Sequence, residues 1–146
     1  MILKLEKSVA HDDIEVIIKY PRESRTVERL VTLINSVDIK IKCYSEEELV
    51  IVNASDVCYI ESIDKKTIIF CENKNYLVKD KLYQIYNKLE SAGFVQISKY
   101  CILNINRLER IKTLKNSRLE AILSDGKVLQ ITRKYLADIK RVLQES

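Results

Sequence analysis

From Ile39 onward the apolar residues come in short runs broken by polar turns, and no other feature of the chain constrains its fold as much. Ile39-Lys40-Ile41-Lys42-Cys43 alternates with period two. A half-buried strand must do this, because successive side chains of an extended chain point to opposite faces. Residues 49–52 and 57–62 follow, divided by Asn53-Ala54-Ser55-Asp56, whose short polar side chains favour turns. After the polar loop Asp64-Lys65-Lys66, runs 67–71 and 76–78 flank Glu72-Asn73-Lys74-Asn75 and read as a hairpin. Runs 94–97, 102–105, 108–114, 118–123 and 127–132 continue the series, the last two joined across Ser124-Asp125-Gly126. Asp-Gly between apolar runs is a strong hairpin signal, since its backbone accepts positive φ.

Three segments keep helical periodicity instead. Leu82, Ile85, Tyr86 and Leu89 share one face of a helix over 80–92, with Asp80 as its N-cap or in its first turn and Gly93 at its left-handed end. Val27, Leu30, Val31 and Ile34 do the same over 24–36, capped by Ser24 or Thr26. Tyr135, Leu136, Ile139 and Leu143 form a short closing helix, with Lys140 and Arg141 suited to its C-terminal dipole. Ahead of the first helix, residues 1–5 and 14–20 read as strands, the second stopped by Pro21. The expected fold is mainly β (α+β), of small packed antiparallel sheets with few helices. It divides into a β-β-α extension at 1–38 and a β-rich unit at 39–146.

Composition removes whole classes. The chain holds 2 Gly and 1 Pro, where average usage would give about 10 and about 7. Phosphate-cradling loops need clustered glycines, so P-loop and dinucleotide-binding sites are excluded. No flexible linker separates two domains. Alternating β/α chain is missing too, so no receiver domain is expected ahead of the β-rich region. His11 is the only histidine and no CxxC occurs, which excludes the usual zinc sites. Cys43, Cys58, Cys71 and Cys101 lie among apolar neighbours and read as small buried hydrophobes of a reducing cytoplasm. A redox role for Cys101, close to Lys99, is the alternative. No apolar run spans a membrane, and acidic residues near the start argue against a signal peptide. No nucleophile, base or cofactor motif is present, so no enzyme, metal site or small-molecule substrate is expected.

Charge is unevenly spread. Residues 1–93 carry 14 basic and 16 acidic side chains, whereas residues 94–146 carry 11 and 5. A basic excess confined to the last third suits a polyanionic partner. Within it, Ser98-Lys99-Tyr100 and Thr132-Arg133-Lys134-Tyr135 each interrupt apolar runs with a hydroxyl, a cation and a flat aromatic. Such groups suit phosphates and base edges. The cations at 99, 107, 110, 112, 115, 118, 133 and 134 would supply salt-sensitive, sequence-independent affinity wherever they face a duplex.

Several patterns occur together in one order: Asp56-Val57-Cys58-Tyr59-Ile60-Glu61-Ser62; Phe94-Val95-Gln96-Ile97-Ser98-Lys99 with Ile102-Leu103-Asn104-Ile105-Asn106; Arg118-Leu119-Glu120; Asp125-Gly126; and Ile131-Thr132-Arg133-Lys134-Tyr135. Over about residues 40–143 they resemble the LytTR family of bacterial DNA-binding domains, with Thr132 where serine is usual. The resemblance implies a sequence-specific transcription regulator of double-stranded DNA. Its contacts would come from loops, reaching successive major grooves and the minor groove between. Carried over residue by residue, those loops hold Lys65, Lys66 and Thr67; Ser98, Lys99 and Tyr100; and Arg133 and Lys134. Asn104 reads as structural, its amide holding neighbouring backbone. The β-β-α start resembles stand-alone members without a receiver domain, which implies repeated promoter sites, a homodimer on DNA and a small membrane-protein inhibitor as partners. The competing reading is a protein-interaction module acting through helix 24–36, without DNA binding. For that helix itself, cover over the β unit is the simpler expectation.

Overall fold

The computed structural model describes residues 1–143, so the last three positions of the expected 39–146 unit lie outside it. Three helices and ten strands follow one another as α1 (Arg25–Asp38), β1 (Lys40–Ser45), β2 (Glu48–Asn53), β3 (Val57–Ile63), β4 (Lys66–Cys71), β5 (Asn75–Val78), α2 (Leu82–Leu89), β6 (Phe94–Ser98), β7 (Cys101–Asn104), β8 (Leu108–Thr113), β9 (Leu119–Leu123), β10 (Val128–Ile131) and α3 (Leu136–Leu143). Every ladder is antiparallel. The strands form a seven-stranded sheet, β2-β1-β5-β4-β3-β7-β6, and a three-stranded sheet, β10-β9-β8. The larger sheet exceeds the small sheets expected. The β1–β2 hairpin joins it through a single bridge, Tyr44 to Leu77.

The large sheet is buried on both faces at its centre. On one side Val57, Ile60, Ile69, Phe94 and Ile102 pack with Ile85 and Leu89 of α2. On the other, Cys58, Tyr59, Val95, Ile97, Cys101 and Leu103 pack against the three-stranded sheet and Ile139 of α3. This double burial is why β3, β6 and β7 read as nearly continuous apolar runs rather than alternating ones. Cys58 and Tyr59, neighbours in sequence, share a side because the β3–β4 register shifts between Val57 and Tyr59. That bulge disturbs the ladder, and Asn104, 1% exposed, restores it. Its Nδ2 donates to Val57 O at 2.8 Å, while its Oδ1 accepts from Asn106 N–H at 3.1 Å. The expected structural role of Asn104 therefore has a defined geometry.

The start of the chain departs from expectation. Residues 1–24 contain no strand. A strand is stable only when a neighbour satisfies its backbone groups, and neither 1–5 nor 14–20 pairs with a sheet edge. Ser24 caps α1, its Oγ accepting from Val27 N–H at 3.3 Å. Helix α1 covers the β unit without fully burying the stripe Val27, Leu30, Val31 and Ile34: it packs on the turns after β2 and α2, and Val27 and Leu30 are half-buried. Its buried residue is Ser36, and Asn35 Nδ2 donates to Ser91 O at 3.1 Å. The 3-10 turn Glu90–Ala92 and Gly93 lie against this face. A β-carbon on Gly93 would stand 3.2 Å from Thr32 Cβ, so only small side chains allow so close an approach. Val31 and Ile34 are left 44% and 36% exposed. Helix α2 starts from Lys81 rather than Asp80: Gln84 Oε1 accepts from Lys81 N–H at 2.8 Å, and Asp80 pairs with Lys88 at 2.7 Å.

Candidate nucleic-acid interface

The three loops expected to carry function come from distant parts of the chain and meet at one end of the sheets. Antiparallel register brings the first two together. Glu61 pairs with Cys101, so the turn after β3 and the turn before β7 are neighbours, and Ser62 N–H donates to Tyr100 O at 2.8 Å. The third joins through Thr132 N–H, which donates to Ile97 O at 2.8 Å beside the second turn.

Each loop has its own local cause. Asp64 and Lys65 form a two-residue turn between β3 and β4, with φ of 50° and 67°. Two positive φ angles match the twist of a tight hairpin. Asp tolerates that region, whereas a lysine there is strained. The pairing of Ile63 with Lys66 fixes this turn and holds Lys65 and Lys66, both exposed, at the tip. Thr67 is a correction: at 6% exposure it lies inside the ladder between Ser62 and Val78, and its side chain does not reach the surface.

In the second loop the register of β6 on β7 shifts between Gln96 and Ser98. Gln96 Nε2 donates to Ser98 O at 3.0 Å, and Ser98 Oγ accepts from Tyr100 N–H at 3.4 Å. These bonds fix the turn, so the Ser98 hydroxyl is partly spent on it. Lys99 Nζ stands 5.4 Å from the centre of the Tyr100 ring, which is 57% exposed. In the third loop Tyr135 N–H closes a 3-10 turn on Thr132 O at 2.9 Å. Arg133 and Lys134 are exposed there, and Lys134 Nζ lies 5.7 Å over the Tyr135 ring. Both lysines thus keep a charged head in water beside an aromatic face, an arrangement suited to phosphates and bases.

Register also sorts the remaining cations. Thr113 pairs with Leu119, which pairs with Ile131. The turn carrying exposed Lys115 and Arg118 is therefore at the same end as Thr132. Arg107 and Arg110 lie toward the opposite end, where Leu108 pairs with Leu123. Arg107 is a brace: its guanidinium donates to Glu72 Oε1 at 3.2 Å and to Ser55 O at 2.9 Å. Lys127 likewise stays at the far hairpin, 5.5 Å from the centre of the Tyr59 ring and 5.6 Å from that of Phe70, which stack at 4.4 Å. Burial pushes the nearby Glu61 carboxyl above the ordinary range, partly offset by Lys127. Nothing in the local sequence marks Lys115 and Arg118 over Arg107 and Arg110, since pairing register alone separates them.

Among the described residues no cluster could hold a metal ion, and no helix is long and apolar enough to cross a membrane. The four cysteines are unpaired. Burial pushes the Cys43 and Cys71 thiols up to about 11, and pushes Cys101 up further still. None is a poised thiolate.

A family model described as the LytTr DNA-binding domain matches residues 47–144. The chain belongs to the LytTR family. The match begins just before β2, leaving α1 and β1 outside it. Among its relatives, the sensory transduction protein LytT of Bacillus anthracis is 24% identical over 136 residues, covering 90% of this chain and 55% of the relative. This LytTR chain thus spans about half the length of that protein. An uncharacterized HTH-type transcriptional regulator of Staphylococcus aureus (strain NCTC 8325 / PS 47) is 27% identical over 125 residues, 84% of each chain. A solved LytTr DNA-binding domain from Bacillus cereus has the same fold, with a TM-score of 0.66 and 21% identity over 71% of this chain and 95% of that one. Two antiparallel sheets with few helices are thereby the fold of the family. Among the described residues no two α-helices are consecutive, since five strands separate α1 from α2 and five more separate α2 from α3.

Proposed function

We propose that this LytTR protein is a transcription regulator that binds specific double-stranded DNA sites through the loop end of its two sheets. The convergence of Lys65 and Lys66, Lys99 and Tyr100, and Arg133 and Lys134 on one end carries this reading. Relatives described as a sensory transduction protein and a transcriptional regulator support it. Lys99, Lys115 and Arg118 are suited to phosphates. Arg133 or Lys134, at the start of α3, is suited to a guanine edge, worth about 1–3 kcal/mol of discrimination. Ser98 contributes mainly by holding its turn. The three loops would enter successive grooves of one duplex face. Binding of this kind needs no catalytic group or cofactor, and a partner of chromosomal DNA would work in the cytoplasm.

Selection from a random DNA pool supplies the operator, and binding to it is then measured against salt. Lys99→Ala and Lys134→Ala are expected to lower affinity about tenfold or more with unchanged urea unfolding. Each should also reduce the salt slope by about 1 where a phosphate contact is lost. Arg107→Ala should lose stability, about 1–2 kcal/mol, and keep the affinity of the folded protein. Wild-type affinity in both lysine variants would reject the interface. A selected motif repeated about one helical turn apart would mean two copies on one face of the duplex.

A further inference from the structure

The segment Ile14-Glu15-Val16-Ile17-Ile18-Lys19-Tyr20 has the composition of a strand and no strand to pair with. Among the described residues, none of its backbone groups bonds to other backbone. It lies on α1 in an alternating way: Val16, Ile18 and Tyr20 line a cleft with Val27, Glu28 and Val31. Ile17, between them, is 69% exposed. The face turned from the helix is therefore Glu15, Ile17 and Lys19, an acid and a base placed symmetrically about an isoleucine.

We propose that a second copy of this chain pairs antiparallel with this segment about a two-fold axis through Ile17. In that register Ile17 faces Ile17, Val16 faces Ile18 and Ile14 faces Tyr20. Glu15 of each chain faces Lys19 of the other, twice. An isologous interface must be self-complementary, and this short sequence is so in both charge and apolarity. Directly opposed opposite charges stabilise a strand pair, and like charges oppose it. The ribbon pairs the backbone groups on one edge of each segment, which the single chain leaves to water. Pro21, which has no N–H to donate, ends it. Its inner face adds four more apolar side chains beside Val31 and Ile34 of each α1, the exposed part of that helix's apolar stripe. Glu15 Oε2 is 2.9 Å from His11 Nε2 within one chain, at the exposed face where the partner's lysine would arrive.

The test uses the full chain without DNA, so its outcome is separate from that of the interface above. Light scattering and sedimentation should give twice the 17.0 kDa chain mass at micromolar concentration. Glu15→Lys and Lys19→Glu each set like charges opposite one another twice, and each should weaken the dimer about tenfold. The double variant Glu15→Lys/Lys19→Glu should restore it. Ile17→Cys should cross-link to its own copy under mild oxidation, since directly opposed residues lie within disulfide reach, while wild type does not. A monomer at all concentrations would overturn the proposal. So would a dimer indifferent to the single reversals, or a double variant that stays weak; the exposed stripe would then serve another partner, such as a membrane-bound inhibitor.

Discussion

The two glycines offer a controlled measurement of how tightly α1 is locked to the sheets. Both have left-handed backbones, with φ of 86° at Gly93 and 89° at Gly126. Any L side chain there is strained by about 1–2 kcal/mol. Stiffening of the unfolded chain returns about 0.4–1 kcal/mol. Nothing lies within 4 Å of a β-carbon at Gly126, so Gly126→Ala should cost about 1 kcal/mol net. At Gly93 the same carbon meets Thr32 Cβ at 3.2 Å and Ile105 Cγ2 at 3.3 Å. Both neighbours are β-branched, with little rotamer freedom to yield. Overpacking of this kind adds about 1–3 kcal/mol, so Gly93→Ala should cost about 2–4 kcal/mol. Urea unfolding at constant slope measures both. Thr32→Gly removes one clashing atom, and its own helix cost of about 1 kcal/mol cancels in a double-mutant cycle. A positive coupling of about 1 kcal/mol is expected between positions 32 and 93. Equal costs for the two alanine variants, or no coupling, would refute the close packing of α1 on Gly93.

Two further outcomes follow from buried polar and sulfur groups. Asn104→Leu breaks the bonds to Val57 O and Asn106 N–H together and should destabilise by about 3 kcal/mol in urea unfolding, while a loss under 1 kcal/mol would deny its role at the bulge. Peroxide should leave DNA affinity unchanged, because burial first, and then Glu61, hold Cys101 as a thiol; a peroxide effect abolished by Cys101→Ser would reverse that conclusion.

Where local chemistry decides structure, the sequence is readable. Asp125-Gly126 makes the β9–β10 turn, Gly93 ends the turn after α2, and Ser24 caps α1. Period-two and period-3.6 patterns place the strands and helices within a few residues. Where a partner decides, the reading fails in an informative way. Residues 14–20 have the right side chains for a strand, but a ladder needs a second strand, and among the described residues none pairs with this segment. Helix α1 has a clear apolar stripe, yet it docks through Thr32, Asn35 and Ser36 because the turn at Gly93 offers backbone atoms and little space. Periodicity identifies a face that is able to be buried and says nothing of what buries it. Thr67 fails similarly, since its place one residue inside the ladder, and not beside the turn, follows from the β3–β4 pairing.

The basic last third of the chain illustrates the same limit on the functional side. Read linearly, its cations form one excess beginning at residue 94. Folded, they divide: Lys99, Lys115, Arg118, Arg133 and Lys134 share the loop end, whereas Arg107 and Lys127 hold strands together elsewhere. The same end takes Lys65 and Lys66 from the part of the chain whose net charge is acidic. Antiparallel pairing sends every second turn to the same end of a sheet, so a turn's register and not its distance along the chain decides its neighbours. A DNA-facing surface built this way needs no contiguous basic motif. It needs only that the cations follow strands whose chain direction leads to that end, as β3, β6, β8 and β10 do.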